Sequence, residues 1–148
     1  MPTLIVIDFE ATCCDRETPH DPDAFPRDEI EIVELGCVAV SETGHVLGEF
    51  ESFVRPIRNP VLTPYCTALT TISQDQADCD FHGVPSPFVS DEHLNVKFKF
   101  AKAQNCRPKG VAAALNRVGR TFDGTAHRGI DDAHNIVRLL PYAGLVRP

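Results

Sequence analysis

Asp8 and Glu10 stand two residues apart behind a run of four apolar residues, "LIVI", in a chain of 148 residues. Side chains alternate along a strand, so both acids face one way and Phe9 the other. Two like charges at the end of a buried strand repel each other, and a divalent cation is the natural compensator. A second acid pair, Asp131 and Asp132, lies near the other end of the chain in "HRGIDDAHN". On a helix beginning there, Asp131 shares a face with His134, Asn135 and Arg138 and reads as solvated. Asp132 lies over Ile136 and Leu139, at the edge of an apolar stripe, and needs a partner. A cation held by Asp8 and Glu10 would supply one. His127, five residues earlier, could reach over the same place as a general base. Acids in a first helical turn also favour the helix dipole, so a plain capping role stands beside the chemical one.

Several elements must hold these groups. Residues 3–8 read as a first strand, 15–29 as an exposed, proline-rich loop, and 30–40 ("IEIVELGCVAV") as a second strand. "SETG" (41–44) is a turn, and 45–56 a third strand, so the last two form an antiparallel hairpin. "IRNPVLTPYC" reads as irregular. Ser73 suits the N-cap of a helix in "ISQDQAD". Residues 107–119 predict a helix with Pro108 in its first turn, Val111, Leu115 and Val118 on one side and Gly119 at its end. Residues 129–143 predict the last helix, with Ile130, Ala133, Val137 and Leu140 on its apolar stripe.

The net charge of −7 argues against broad electrostatic capture of nucleic acid, though not against an enzyme that reaches phosphates through bound metal. The six cysteines (13, 14, 37, 66, 79 and 106) contain no C-x-x-C pair, so a zinc site is poorly supported. They read as reduced thiols of a cytoplasmic protein, and the adjacent Cys13 and Cys14 as packing residues rather than a redox pair. No stretch reaches the length of a membrane helix, and no membrane partner is expected. Lys97, Lys99 and Lys102 with Phe98 and Phe100 could be an RNA-facing stripe, or a solvated face backed by core phenylalanines. His20, His45, His82, His93 and His134 have no site context.

The stretches "IDFEATC", "CTALTTISQDQAD" and "GRTFDGTAHRGIDDAHNI" together resemble the DEDDh family of 3′–5′ exonucleases, closest to its Eri-type and KapD-like branch. The resemblance runs from about Pro2 to Leu140. It implies an α/β domain of ribonuclease-H-like fold, a mixed β-sheet flanked by helices. It also implies removal of nucleotides from the 3′ end of RNA or single-stranded DNA, with RNA the favoured substrate in this branch. By the same resemblance Asp8, Glu10 and Asp132 ligate two metal ions and His127 deprotonates the attacking water. Hard carboxylate ligands suit Mg²⁺ or Mn²⁺. Backbone from Phe9 through Ala11 to Thr12 would grip the terminal nucleotide, with Leu69, Thr70 and, as a further candidate, Ile72.

One departure matters. The family carries a fourth acid, an aspartate in a motif between the "SQDQ" helix and the "HGVPSPF" segment. Here "SQDQAD" runs straight into "CDFHGVP". Residues 1–148 therefore read as one domain lacking a segment between Asp78 and Cys79. Asp75, Asp78 and Asp80 lie nearby outside the motif context, and Asp91 falls after it. Three explanations compete: a segment missing from this sequence, a naturally shortened and inactive protein, or a nearby acid standing in. The alternative function is accordingly a catalytically dead regulatory or nucleic-acid-binding module.

Overall fold

The computed structural model describes residues 4–77 and 94–147. The expected junction between Asp78 and Cys79 lies outside the described residues, as do Asp80, Asp91, His82 and His93. Among the described residues three strands form one sheet in the order β1 (Leu4–Ala11), β2 (Ile32–Val40), β3 (Val46–Phe53), with both pairings antiparallel where a mixed sheet was expected. The turn at Ser41–Gly44 that joins β2 to β3 has Gly44 at φ 77°. Five helices follow: α1 (Pro64–Thr70), α2 (Gln74–Ala77), α3 (Val96–Ala103), α4 (Val111–Arg117) and α5 (Gly129–Val137).

β1 is described from Leu4 and ends three residues later than the expected 3–8, and it carries both acids within it. Its face is divided. Val6, with Val38 and Val40 of β2, packs against Ala133, Val137 and Leu140 around α5. This is the stripe the sequence marked. On the other face Ile5 and Phe9 are each 48% exposed, so the strand is not buried on both sides among the described residues. The helices described here cover that face only farther along, where Val33 joins Leu62, Cys66, Ile72 and Ala77.

Several segments differ from the sequence-based reading. "IRNPVLTPYC" is irregular only as far as Thr63; Pro64, Tyr65 and Cys66 open α1. Thr63 caps α1 by accepting from the Cys66 N–H, and Pro64 takes the first helical position, where its missing N–H costs nothing. α5 ends at Val137, with a 3₁₀ turn at Pro141–Ala143, yet Leu139 and Leu140 stay buried. At the start of α4, Pro108 precedes the helix and Gly110 is its N-cap. The reading of Ser73 holds: Gln76 N–H donates to its hydroxyl, and Gln76 Oε1 accepts from the Ser73 N–H, a reciprocal cap. In α3, Phe100 enters the core while Phe98 is 60% exposed, so only one of the two phenylalanines backs the lysine face.

Candidate active site

α5 crosses the sheet where neither backbone carries a side chain. Gly36 pairs with Asp8 across β1 and β2. A Cβ added to Gly36 would fall 2.1 Å from the carbonyl carbon of Gly129, and one added to Gly129 would meet Asp8 O at 3.3 Å. This backbone-on-backbone contact seats the first turn of α5 directly over Asp8. It brings together groups that the chain separates by more than a hundred residues.

Asp8, Glu10 and Asp132 each offer a carboxylate oxygen, and the three oxygens lie within 4.8 Å of one another. All three residues are partly buried. Burial, then the charge of Asp132 and then that of Glu34, push Asp8 up to about 7. Burial followed by Asp8 raises Glu10 to about 7 as well. Burial also raises Asp132, opposed by the hydrogen bond from His127. Among the described residues no lysine or arginine pairs with Asp8, Glu10 or Asp132. Three hard oxygen donors, crowded and reluctant to ionise together, are a donor set that a divalent cation fits.

His127 sits in the exposed loop before α5 with φ at 63°, and its backbone N–H donates to Asp132 Oδ2 at 2.8 Å. That bond turns the loop back over the first turn of the helix. The imidazole is not a member of the three-carboxylate cluster.

The expected nucleotide-gripping residues fare unequally. Phe9 projects its ring to the face opposite the acids, as strand alternation requires. Ala11 follows a bulge in the β1–β2 register. Thr12 is buried; its N–H donates to Glu31 O at 2.8 Å and its hydroxyl accepts from Glu31 N–H at 2.9 Å, so both hold the loop. Thr70 is also buried. Its hydroxyl donates to Cys66 O at 2.9 Å and accepts from Ile72 N–H at 3.2 Å, which terminates α1 rather than facing a ligand. Ile72 is a core residue at 0% exposure. Leu69 presents an exposed side chain, as does Phe9 on the face opposite the acids.

Asn135 corrects the reading of α5. It shares Asp131's side of the helix but is fully buried. Its amide donates to Asp123 O at 2.7 Å and Asp131 O at 2.8 Å, and its oxygen accepts from Asp123 N–H at 3.1 Å. It pins the loop that leads to His127. A shallow depression of about 480 Å³ lies on this side, lined by Val46, Asp131, His134 and Arg138 among others; none of the three clustered acids contributes to it.

Glu34 and Arg128 were not singled out from sequence. Glu34 pairs with Glu10 across the strands and is fully buried. Arg128 Nε donates to both Glu34 oxygens at 3.3 Å, its Nη2 donates to Glu51 at 2.9 Å, and the guanidinium lies 5.4 Å from the Phe53 ring centre. The Gly129 N–H also donates to Glu34, while burial raises the carboxyl. The available signal was an acid in mid-strand, in register with Glu10.

Comparison with known proteins bears on this arrangement. The family described as exonuclease matches residues 5–82. The chain is 26% identical over 194 aligned positions to the 3′-5′ exonuclease Snipper of Drosophila melanogaster, covering 93% of this chain and 67% of that protein. It is 42% identical over 195 positions to ERI1 exoribonuclease 2 of Danio rerio, covering 92% of this chain and 34% of that one. The chain thus spans about a third of that relative's length or less in its human counterpart, where the share is 27%. Among solved structures, the nuclease domain of 3′hExo, a DEDDh family member bound to rAMP, superposes with a TM-score of 0.76. The superposition covers 98% of this chain and 94% of that one at 22% identity, a likeness of fold. The fold is α/β and ribonuclease-H-like.

Proposed function

Since this chain belongs to the exonuclease family, we propose that it is a metal-dependent domain that removes nucleotides from the single-stranded 3′ end of RNA, in preference to DNA. The observation that carries the reading is the convergence of Asp8, Glu10 and Asp132 within 4.8 Å under the start of α5. These carboxylates would hold Mg²⁺ or Mn²⁺, two ions by the family's pattern. Bound ions of this kind polarise the phosphodiester and make water a nucleophile near neutral pH. The protein's own groups do the rest. His127, outside the carboxylate cluster, takes the proton of the attacking water. Gly36 and Gly129 fix the distance from β1 to α5, so the carboxylates meet at one place. Leu69 and the backbone around Ala11 orient the terminal nucleotide, while Thr12, Thr70 and Ile72 hold that surface in shape. A reducing cytoplasm is the proposed compartment, on the cysteine pattern.

A second reading, the catalytically inert binding module, is favoured by one observation. The match to Snipper spans 194 aligned positions against 148 residues here, so at least 46 positions of the alignment have no counterpart in this chain. This supports the proposal that a segment bearing the fourth acid is absent from this sequence, at or near Asp78–Cys79.

A 5′-labelled single-stranded RNA tests both, incubated with the protein and Mn²⁺ beside a circular RNA of the same sequence. Stepwise shortening of the linear strand, an intact circle and loss of activity in Asp8→Ala are expected. Cutting of the circle would remove the exonuclease reading. Binding of the linear strand without shortening would leave the inert module.

A further inference from the structure

At the same end of the sheet lies a pair of nucleophiles that the proposed chemistry does not use. Cys13 stands two residues beyond β1, and Cys66 lies in the first turn of α1. Cys13 packs against the buried cluster that contains Cys66. Cys66 Sγ in turn lies 3.7 Å from Ala11 O, in position to donate to it. The Thr63 hydroxyl ties the two segments a second time. It donates to Cys13 O at 2.6 Å and accepts from Cys66 N–H at 2.9 Å. The strand exit and the helix are therefore already drawn together through the Cys66 thiol, the Thr63 hydroxyl and main chain. Cys66 is fully buried, whereas Cys13 is partly exposed. Neighbouring Cys14 is buried.

We propose that Cys13 and Cys66 are a redox-convertible pair, which a low-molecular-weight disulfide such as oxidised glutathione closes into a bridge between the β1 exit and α1. The Cys66 thiol is the more acidic, lowered to about 7 beside Cys13, while that contact and burial raise the Cys13 thiol. Exposure nevertheless sets the order of events, because the fully buried Cys66 cannot meet oxidised glutathione first. The Cys13 thiolate attacks one sulfur of oxidised glutathione, forming a mixed disulfide and releasing one glutathione thiolate. The Cys66 thiolate then attacks the Cys13 sulfur and releases the second. The protein loses two electrons and two protons, and both glutathione halves end as thiols. Oxidised glutathione is the only co-reactant.

Closure brings the sulfurs to about 2.05 Å, well inside the contact distance of two unbonded sulfurs. The shift falls on the segment joining Glu10 to α1, the helix that presents Leu69. Resting on the exonuclease reading, the bridge is a brake: displacing a positioning group by about 1 Å can cost up to about 100-fold in rate.

The whole chain is treated with oxidised glutathione, and its thiols are counted with a maleimide before and after. Two of its six thiols should disappear, and tandem mass spectrometry of the proteolytic peptides should join Cys13 to Cys66. Cys14→Ser should still form the bridge. Cys66→Ser should stop at a glutathione adduct on Cys13. Bridging of Cys13 to Cys14, or no bridge in a protein with native circular dichroism, would overturn the pair. If Cys66→Ser fails to fold, the peptide map of the unsubstituted protein decides. Nuclease activity should fall on bridging and return with dithiothreitol; a bridged protein of unchanged rate would overturn the brake. A reduced protein without any nuclease activity would count against the exonuclease reading alone, since the thiol count does not depend on it.

Discussion

Two groups of acids lie side by side at the N-terminal end of α5, and they are held in opposite ways. Glu34 and Glu51 share the guanidinium of Arg128, and Glu34 also receives the Gly129 N–H. Asp8, Glu10 and Asp132 face one another with no cationic side chain among the described residues. The two sets are so close that Glu34 helps to raise both Asp8 and Glu10. An arginine could therefore have been placed at the second set as easily as at the first. Its absence there leaves charge to be compensated by something that comes and goes, which a structural ion pair never does. The paired set ties the start of the helix to the sheet; the unpaired set is the one proposed to bind metal.

The sharpest way to separate these roles spares both sets. His127→Ala should lower turnover on single-stranded RNA by roughly 10²–10⁴-fold, the usual worth of a positioned base. Calorimetry should find Mn²⁺ affinity unchanged, because all three carboxylates remain. Loss of metal along with activity would move His127 into the ligand set.

Neutralising one acid in each set should push stability in opposite directions. Glu34→Ala leaves Arg128 without its buried partner and should cost about 3 kcal/mol in urea unfolding. Asp8→Asn in metal-free protein at pH 8 relieves repulsion and should raise Tm by a few degrees. If both variants lose stability alike, the distinction between the sets is wrong.

The pH dependence follows from the same asymmetry. Asp8 and Glu10 carry pKa values raised to about 7, above those of an unfolded chain. The folded state therefore holds protons that the unfolded state has lost, and these groups stabilise at low pH. Metal-free protein should lose that contribution as pH rises from about 4 through 7. Asp8→Asn should flatten this fall in Tm, and saturating Mn²⁺ should reverse it.

The smallest effect is expected at His134 and Glu49, whose 2.6 Å contact joins side chains 38% and 60% exposed. Glu49→Ala should change stability by less than about 1 kcal/mol and leave nuclease rate untouched. A larger loss of rate would mean that the outer face of α5 takes part in the site.

Much of this was legible in the chain. Strand alternation alone put Asp8 and Glu10 on one face and Phe9 on the other, and helical periodicity turned Asp132 inward. Those inferences rest on local geometry, which a sequence carries directly. What escaped was set by contact between distant segments. Glu34 reads as a mid-strand acid until the register with Glu10 is known. Asn135 reads as solvated until the loop at Asp123 folds against it. Thr70 looks free to meet a nucleotide until the end of α1 claims its hydroxyl. α1 was hidden by the prolines around it, although Thr63 followed by Pro64 is a helix start that position-by-position reading of caps would have found. Ile5 and Phe9 mark the opposite failure: a continuous apolar run predicts cover on both faces, and the described residues provide it on one.

The meeting of Gly36 with Gly129 sets the tolerance of the whole assembly. Side chains at an interface hop between rotamers and repack around small errors, so a separation they define drifts with temperature and mutation. Here main chain rests on main chain at the point nearest the carboxylates, and there is nothing to repack. The spacing of Asp8 and Asp132 is therefore a hard stop, as in a machined joint: it stays constant until α5 lifts off the sheet, and then is lost all at once.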